Sequence, residues 1–310
     1  IRSEIEAKYA LNTGAASDAE LAVQDAEDVL RRHGRDPLAL AASLEAHLVA
    51  SCIHEKQWPD KSRSELARAA ELAAALKAEA TVGRAVKAHL LYLDHVDDLD
   101  GVRQEFERNP AARAVAGRTY FFSLYRHGKF ADALKLLEEM PHTGNMAMYH
   151  LRRGFTLANL EDDGPARAYA QFQQAWQERG DLHNRIVVYA PNILFLLGRP
   201  AEAIQCYREK LDVSPKPYAY RSVYEYWAER GSEAKLLEEA GQSRWKLCEV
   251  HYYIGIKALA EGKRQKARAE FQKSVDTRVL WYLEYEWSRA LLAQLQDPAW
   301  PPWIPLVENE

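Results

Sequence analysis

Residues 128–141 read G-K-F-A-D-A-L-K-L-L-E-E-M-P, and their spacing decides the fold class. Gly128 is followed by an aromatic two positions on (Phe130), by Ala133 five on and by Leu137 nine on, before Met140 and Pro141. The same phrase returns at Gly198 as G-R-P-A-E-A-I-Q-C-Y-R-E-K-L, with Pro200, Ala203 and Tyr207, and Pro215 further on. It returns again at Gly262 as G-K-R-Q-K-A-R-A-E-F-Q-K-S-V, with Ala267, Phe271 and Ser274. From Gly128 to Gly198 is 70 residues and from Gly198 to Gly262 is 64, each close to two units of about 34 residues.

Weaker copies fill the gaps. One runs through Gly154, Leu157, Ala168, Phe172 and Ala175, with about two extra residues at Asp162-Asp163-Gly164. Another holds Gly231, Leu236 and Leu237, and a third Asp97, Leu99, Val102, Phe106 and Asn109. Two looser helix pairs precede them, over roughly 3–34 and 37–78. Glycine lets the chain turn sharply between antiparallel helices, the small Ala lets two backbones approach, and the aromatic plugs the gap between hairpins. A single hairpin cannot cover its apolar face, so such units stack. Composition agrees with an all-α chain. Of 310 residues only 15 are Gly and 13 Pro, and they fall between periodic segments. The longest β-branched cluster, Ile186-Val187-Val188, sits inside helical spacing.

These phrases, with His251-Tyr252-Tyr253-Ile254-Gly255 ahead of the last, resemble the tetratricopeptide repeat family. The resemblance covers about 85–310 clearly and 3–80 loosely; the Trp usual early in each unit is mostly missing. It implies a right-handed α-solenoid of about eight hairpins in one continuous superhelix. The expected divisions are 1–80 for loosely matched hairpins, 81–278 for the repeats and 279–310 for a capping helix with a Pro/Trp-rich tail. Residues 279–296 form one amphipathic helix with Leu280, Leu283, Trp287 and Leu291 as its buried stripe. The segment D-P-A-W-P-P-W-I-P, 297–305, must run extended and take Trp300 and Trp303 somewhere dry, as a lid on the last hairpin or, alternatively, as a Pro-rich ligand for a partner. This ending also resembles repeat regions attached to some bacterial Ser/Thr protein kinases, although no kinase motif is present.

In the family, the first helix of each pair lines the concave surface. Carried onto this sequence, the resemblance places Arg84, Lys87, Arg118, Phe122, Tyr125, Arg152, Arg185, Tyr189, Asn192, Arg221 and Tyr252 there. Phe155, Asn159 and Tyr253 fall on the same row. Arginine forks bind carboxylates bidentately and Tyr and Phe give rigid apolar contact, so the implied ligand is an acidic or extended protein or peptide. A plainer reading has these cations lying along helix surfaces and pairing with neighbouring Glu. A register error of one residue turns each side chain by ~100°.

No chemistry of catalysis emerges. His47 and His54 are seven apart beside Cys52 but lack metal spacing, and read as surface or helix-end residues. The pairs Asp97-Asp98, Glu138-Glu139, Asp162-Asp163 and Glu238-Glu239 read as helix-end or solvated acids. There is no G-x-S-x-G, P-loop, G-x-G-x-x-G or C-x-x-C. No cofactor, metal or catalytic residue is expected. Net charge −4 argues against nucleic acid. No run of about 18 apolar residues is found, and on this reading a membrane span is excluded. Residues 1–12 read as an amphipathic start, not a signal peptide. Cys52, Cys206 and Cys248 read as buried free thiols in a cytoplasmic protein. The expected function is a non-enzymatic scaffold or adaptor. Three alternatives stay open: the regulatory or substrate-recruiting part of a larger bacterial signalling protein such as a Ser/Thr kinase, an enzyme on a helical frame, or a sensor of a small ligand.

Overall fold

The protein is described from a computed structural model, over residues 10, 13–55, 57–79, 83–108, 110, 113–140, 146–160, 163–177, 184–213, 221–280, 282–302 and 304–305. These residues are all-α, with sixteen helices and no strand among them. In chain order they are α1 (Ala16–His33), α2 (Pro37–His54), α3 (Pro59–Glu79), α4 (Gly83–His95), α5 (Leu99–Arg108) and α6 (Arg113–Arg126). Then come α7 (Phe130–Glu139), α8 (Met146–Leu157), α9 (Gly164–Gln177), α10 (Asn184–Leu196) and α11 (Pro200–Val213). The last are α12 (Arg221–Trp227), α13 (Glu233–Ala240), α14 (Arg244–Ala260), α15 (Arg264–Asp276) and α16 (Leu283–Gln294). The expected pair at 37–78 is present, and the C-terminal helix runs over Leu283–Gln294 rather than 279–296, which leaves Leu280 outside it. The expected pair over 3–34 has its second helix in α1; residues 1–9, 11 and 12 lie outside the described residues, and with them the reading of the N-terminal start.

One turn recurs. After α4, α6, α10, α12 and α14 the second residue beyond the helix has positive φ: Asp97 (59°), Gly128 (68°), Gly198 (68°), Glu229 (62°) and Gly262 (74°). In every case the next N–H donates to a carbonyl five residues back. The bonds are Asp98 to Leu93, Lys129 to Leu124, Arg199 to Leu194, Arg230 to Glu225 and Lys263 to Ala258, at 2.7–2.9 Å. This is the Schellman closure, which satisfies carbonyls a helix end would orphan. Glycine takes the left-handed position three times at no steric cost, and Asp97 and Glu229 hold it against a cost of about 1–2 kcal/mol. The turn apex after α12 is therefore Glu229, not the Gly231 that its composition suggested.

Residues Arg278–Leu280 and Gln242–Trp245 join Ile1–Ser123 in one compact unit; Leu124–Gly241, Lys246–Thr277 and Trp281–Glu310 form a second. In the first, α2 packs against α1, α3 and α4. Asp36 caps α2, its Oδ1 accepting from the backbone N–H of Leu38 at 2.9 Å and Ala39 at 3.1 Å, with Pro37 at the first turn. Contrary to the sequence expectation, α2 is an 18-residue helix apolar enough to cross a membrane by length and hydropathy. In this chain 83% of it is buried, as a core helix is.

In the second unit α8 packs on α9 and α10, and α10 and α12 both pack on α11. The residues of the repeated phrase are its core: Ala133, Leu137, Ala168, Phe172, Ala203, Tyr207, Ala267 and Phe271 are all buried. Gly255 of α14 sits under Phe271 of α15, where an added Cβ would meet ring atoms at 2.7 Å. Tyr207 stacks on Trp227 with ring centroids 4.5 Å apart, and the Trp227 indole N–H donates to the Tyr253 carbonyl at 3.2 Å.

A His–acid clasp recurs across the hairpins. The Nδ1 of His47 on α2 lies 2.5 Å from Glu65 on α3, that of His89 on α4 2.9 Å from Glu105 on α5, and that of His251 on α14 2.7 Å from Glu270 on α15. His150 on α8 makes the same bond to Gln171 on α9 at 2.8 Å. Each joins the first helix of a pair to the second. His47 and His54 are thus interior, not at the surface as their sequence context suggested. Cys52 and Cys248 are buried as expected, but Cys206 is only partly so.

Candidate functional site

The residues predicted to line a binding surface fall into two classes. Phe122, Tyr125, Tyr189, Asn192 and Tyr252 are buried. The cations stay nearer solvent: Arg84, Arg118, Arg152 and Arg221 are partly exposed and Lys87 exposed, while the Arg185 side chain lies outside the described residues. Two of the cations meet neighbouring acids. Arg84 approaches Glu45 at 3.9 Å, and Arg221 bonds Glu225 at 2.8 Å, one helical turn on. Glu225 also accepts from Lys235 at 2.8 Å, and bonds from Lys235 and Arg221 hold its carboxyl below the usual range. Arg84 also borders a cleft of about 540 Å³ in the first unit, whose other walls are α1 (Asp25, Asp28, Val29, Arg32, His33) and the start of α2 (Asp36, Leu38, Ala39, Ala42).

In the second unit two buried members of the set, Tyr125 and Tyr189, meet the C-terminal segment. Tyr125 on α6 meets Trp287 of α16 edge-on, centroids 5.2 Å apart, and Phe155 on α8 stacks on the same indole at 4.2 Å. The hydroxyls of Tyr189 on α10 and Tyr253 on α14 both donate to Oε1 of Glu284, the latter at 2.9 Å. Arg126 reaches Glu286 at 3.6 Å. Beyond α16, the Trp300 indole N–H donates to Asn159 Oδ1 at 2.7 Å, and the Asn159 amide donates to the Tyr125 hydroxyl at 2.6 Å. Gln294 donates to the Tyr125 carbonyl at 3.2 Å. Asn192 and Tyr252 lie one layer deeper: Asn192 donates to the Tyr252 hydroxyl at 3.1 Å and accepts from Tyr207 at 3.2 Å. Burial drives the phenols of Tyr125, Tyr207 and Tyr252 well above their ordinary range, so they stay neutral.

The tail was expected as a lid on the last hairpin. It does touch α15, where Arg264 donates to the carbonyls of Leu295, at 3.1 Å, and Asp297. It also crosses to α8 through Trp300 and Asn159. Trp303 lies outside the described residues. The buried stripe of α16 differs from the expected one. Leu283 is only partly buried, and Glu284 takes its place with Trp287, Ser288 and Leu291. A carboxylate in a buried stripe is the signal that this helix faces polar donors, since burying an ion without hydrogen bonds is prohibitive.

Phe155, Asn159 and Tyr253 carry as much of the contact with α16 and the tail as the residues named from sequence. Among the described residues no group of three or more His, Cys, Asp and Glu could hold a metal ion. Cys248 accompanies Ser274 in the core, and burial pushes its thiol up to about 12. No protein-family model matches the chain, and no curated protein is significantly similar to it.

Proposed function

We propose that the chain is a tetratricopeptide-like α-solenoid that serves as a non-enzymatic scaffold or adaptor, binding protein or peptide on the faces of its first helices. Support for the repeat architecture comes from the five identical helix closures, the glycine–aromatic approach of Gly255 and Phe271, and the packing of α4 on α2 and of α10 on α8. In a repeat array first helices stack on first helices in this way. One observation carries the functional reading: the row formed by α6, α8, α10 and α14 already holds a 12-residue helix through two rings, two phenol hydroxyls and an arginine. A surface that holds one helix by such groups has the composition of a recognition surface, in which Tyr, Phe and Arg dominate. A chain of net charge −4 suits a protein partner in the cytoplasm better than nucleic acid.

The test is selection of a displayed random-peptide library on the immobilised full chain, repeated with Arg118→Glu and Arg152→Glu together. Enrichment of peptides by the native chain and their loss in the double variant, with helicity unchanged by circular dichroism, is the expected result. No enrichment above an unrelated helical protein would overturn the reading.

A further inference from the structure

We propose that α16 and the segment 297–305 are a displaceable self-ligand of the first-helix row, and that the external ligand of this row is a partner helix carrying Glu-x-Glu-Trp. The proposal rests on the scaffold reading and names its partner chemistry. The motif is read from the segment in place: Glu284, Glu286 and Trp287, in the first half of α16, meet the row through polar or ring contacts, and Gln294 at its far end bonds the Tyr125 carbonyl.

On α16 two acids and an indole meet the row together. A helix docked for stability alone does best with apolar side chains, because replacing a buried ion pair by hydrophobic residues is often neutral or stabilising. Here Glu284 is buried to 2% exposure with two phenol donors on one oxygen. Glu286 and Arg126 face each other at 12% and 6% exposure. Such groups discriminate between ligands. If α16 leaves, the hydroxyls of Tyr189 and Tyr253 lose their acceptor and the guanidinium of Arg126 loses the facing charge of Glu286, and a neutral helix cannot restore them. An acidic helix can, and hydrogen bonds to charged groups are the stronger kind. The indole slot between Phe155 and Tyr125 then favours one register: a Trp one position after the second acid meets both the rings and the donors. Trp300 on Asn159 adds a second anchor, beyond the helix, that releases independently.

Being on the same chain, α16 competes at an effective concentration on the order of millimolar. A partner must therefore outcompete it, and weakening α16 must open the row.

The experiment uses a fluorescein-labelled synthetic peptide of residues 279–305 and the full-length chain, read by anisotropy. The native chain binds the peptide weakly. The Trp287→Ala chain binds it at least ten-fold tighter, because its own helix has lost the ring anchor. In that background a peptide carrying E284Q binds roughly ten-fold more weakly than the parent peptide. A folded Trp287→Ala chain with no gain over native, or equal binding of the two peptides, would overturn the proposal. If Trp287→Ala does not fold by circular dichroism, Glu284→Gln is judged by the same two criteria, since it weakens the hold of the row on α16 at nearly constant volume. Library peptides that bind native and opened chains equally would overturn the self-ligand while leaving the scaffold reading in place. Absence of any bound peptide from both chains would overturn the two together.

Discussion

Gly255→Ala sets two opposed effects against each other, and their balance tests the repeat geometry. In a helix interior alanine is favoured over glycine by about 1 kcal/mol. At Gly255, however, an added Cβ would lie 2.7 Å from both Cδ1 and Cε1 of Phe271 and 3.2 Å from Cζ. The ring is fully buried and has Tyr252 as an aromatic neighbour at 6.2 Å, so it has little room to retreat. Overpacking of this kind costs about 1–3 kcal/mol. The net expectation is a loss of roughly 0–2 kcal/mol, where an open helix site would gain about 1. In a Phe271→Leu background the collision is relieved and Gly255→Ala becomes stabilising by about 1 kcal/mol. A double-mutant cycle by urea denaturation, followed by far-ultraviolet circular dichroism, should give a coupling of about 1–3 kcal/mol. Gly154→Ala serves as the contrast: its Cβ would meet Cδ1 of Ile193, the movable end of an aliphatic chain, so a smaller loss is expected. A gain of about 1 kcal/mol from Gly255→Ala with Phe271 intact would refute the close-approach reasoning.

Other expectations follow from the same contacts. At Glu105 and Glu270 burial pushes the carboxyl up, but hydrogen bonds from His89 and Arg108, and from His251 and Lys273, outweigh it and hold both below the usual range. A carboxyl depressed in the folded state stabilises above its unfolded value of about 4.3, and this is lost as pH falls through the folded value. Glu105→Gln and Glu270→Gln should therefore lower the melting temperature at neutral pH and flatten its decline below about pH 4.3; a parallel decline would refute the assignment. With Cys248 raised to about 12 and Cys52 buried, the native chain at pH 8 should offer one readily alkylated thiol, Cys206, and mass spectrometry of iodoacetamide adducts checks this. Asp36→Ala removes the cap of α2 and should cost about 1 kcal/mol, with Asp36→Ser restoring most of it; equal stability of all three would refute the cap.

Much of the fold was legible because it is local. Gly128, Gly198 and Gly262 announce left-handed turns that few other residues tolerate, and the alanines and aromatics at fixed offsets announce the helix crossings. Turns closed by Asp97 and Glu229 were harder to see, because neighbouring hydrogen bonds rather than residue type enforce their positive φ. The clasps of His47, His89, His150 and His251 were missed for a related reason. A histidine read alone suggests the surface, and its buried acceptor lies 16–21 residues away on the next helix. The candidate surface shows the limit most plainly. The family resemblance put Tyr125, Tyr189 and Tyr252 on one row with Phe155 and Asn159, but no local pattern tells what covers these residues.

The sequence alone determined the helices, their turns and the amphipathic C-terminal segment, since these depend on side-chain period and backbone preference within a few residues. Only the tertiary structure decided that α16 lies on the first-helix row, that Glu284 is an interior acid, and that Trp300 reaches Asn159 across 141 residues of chain. Contacts so distant in sequence depend on how well two whole surfaces match in shape and in donors and acceptors. No short stretch of either partner carries that match by itself.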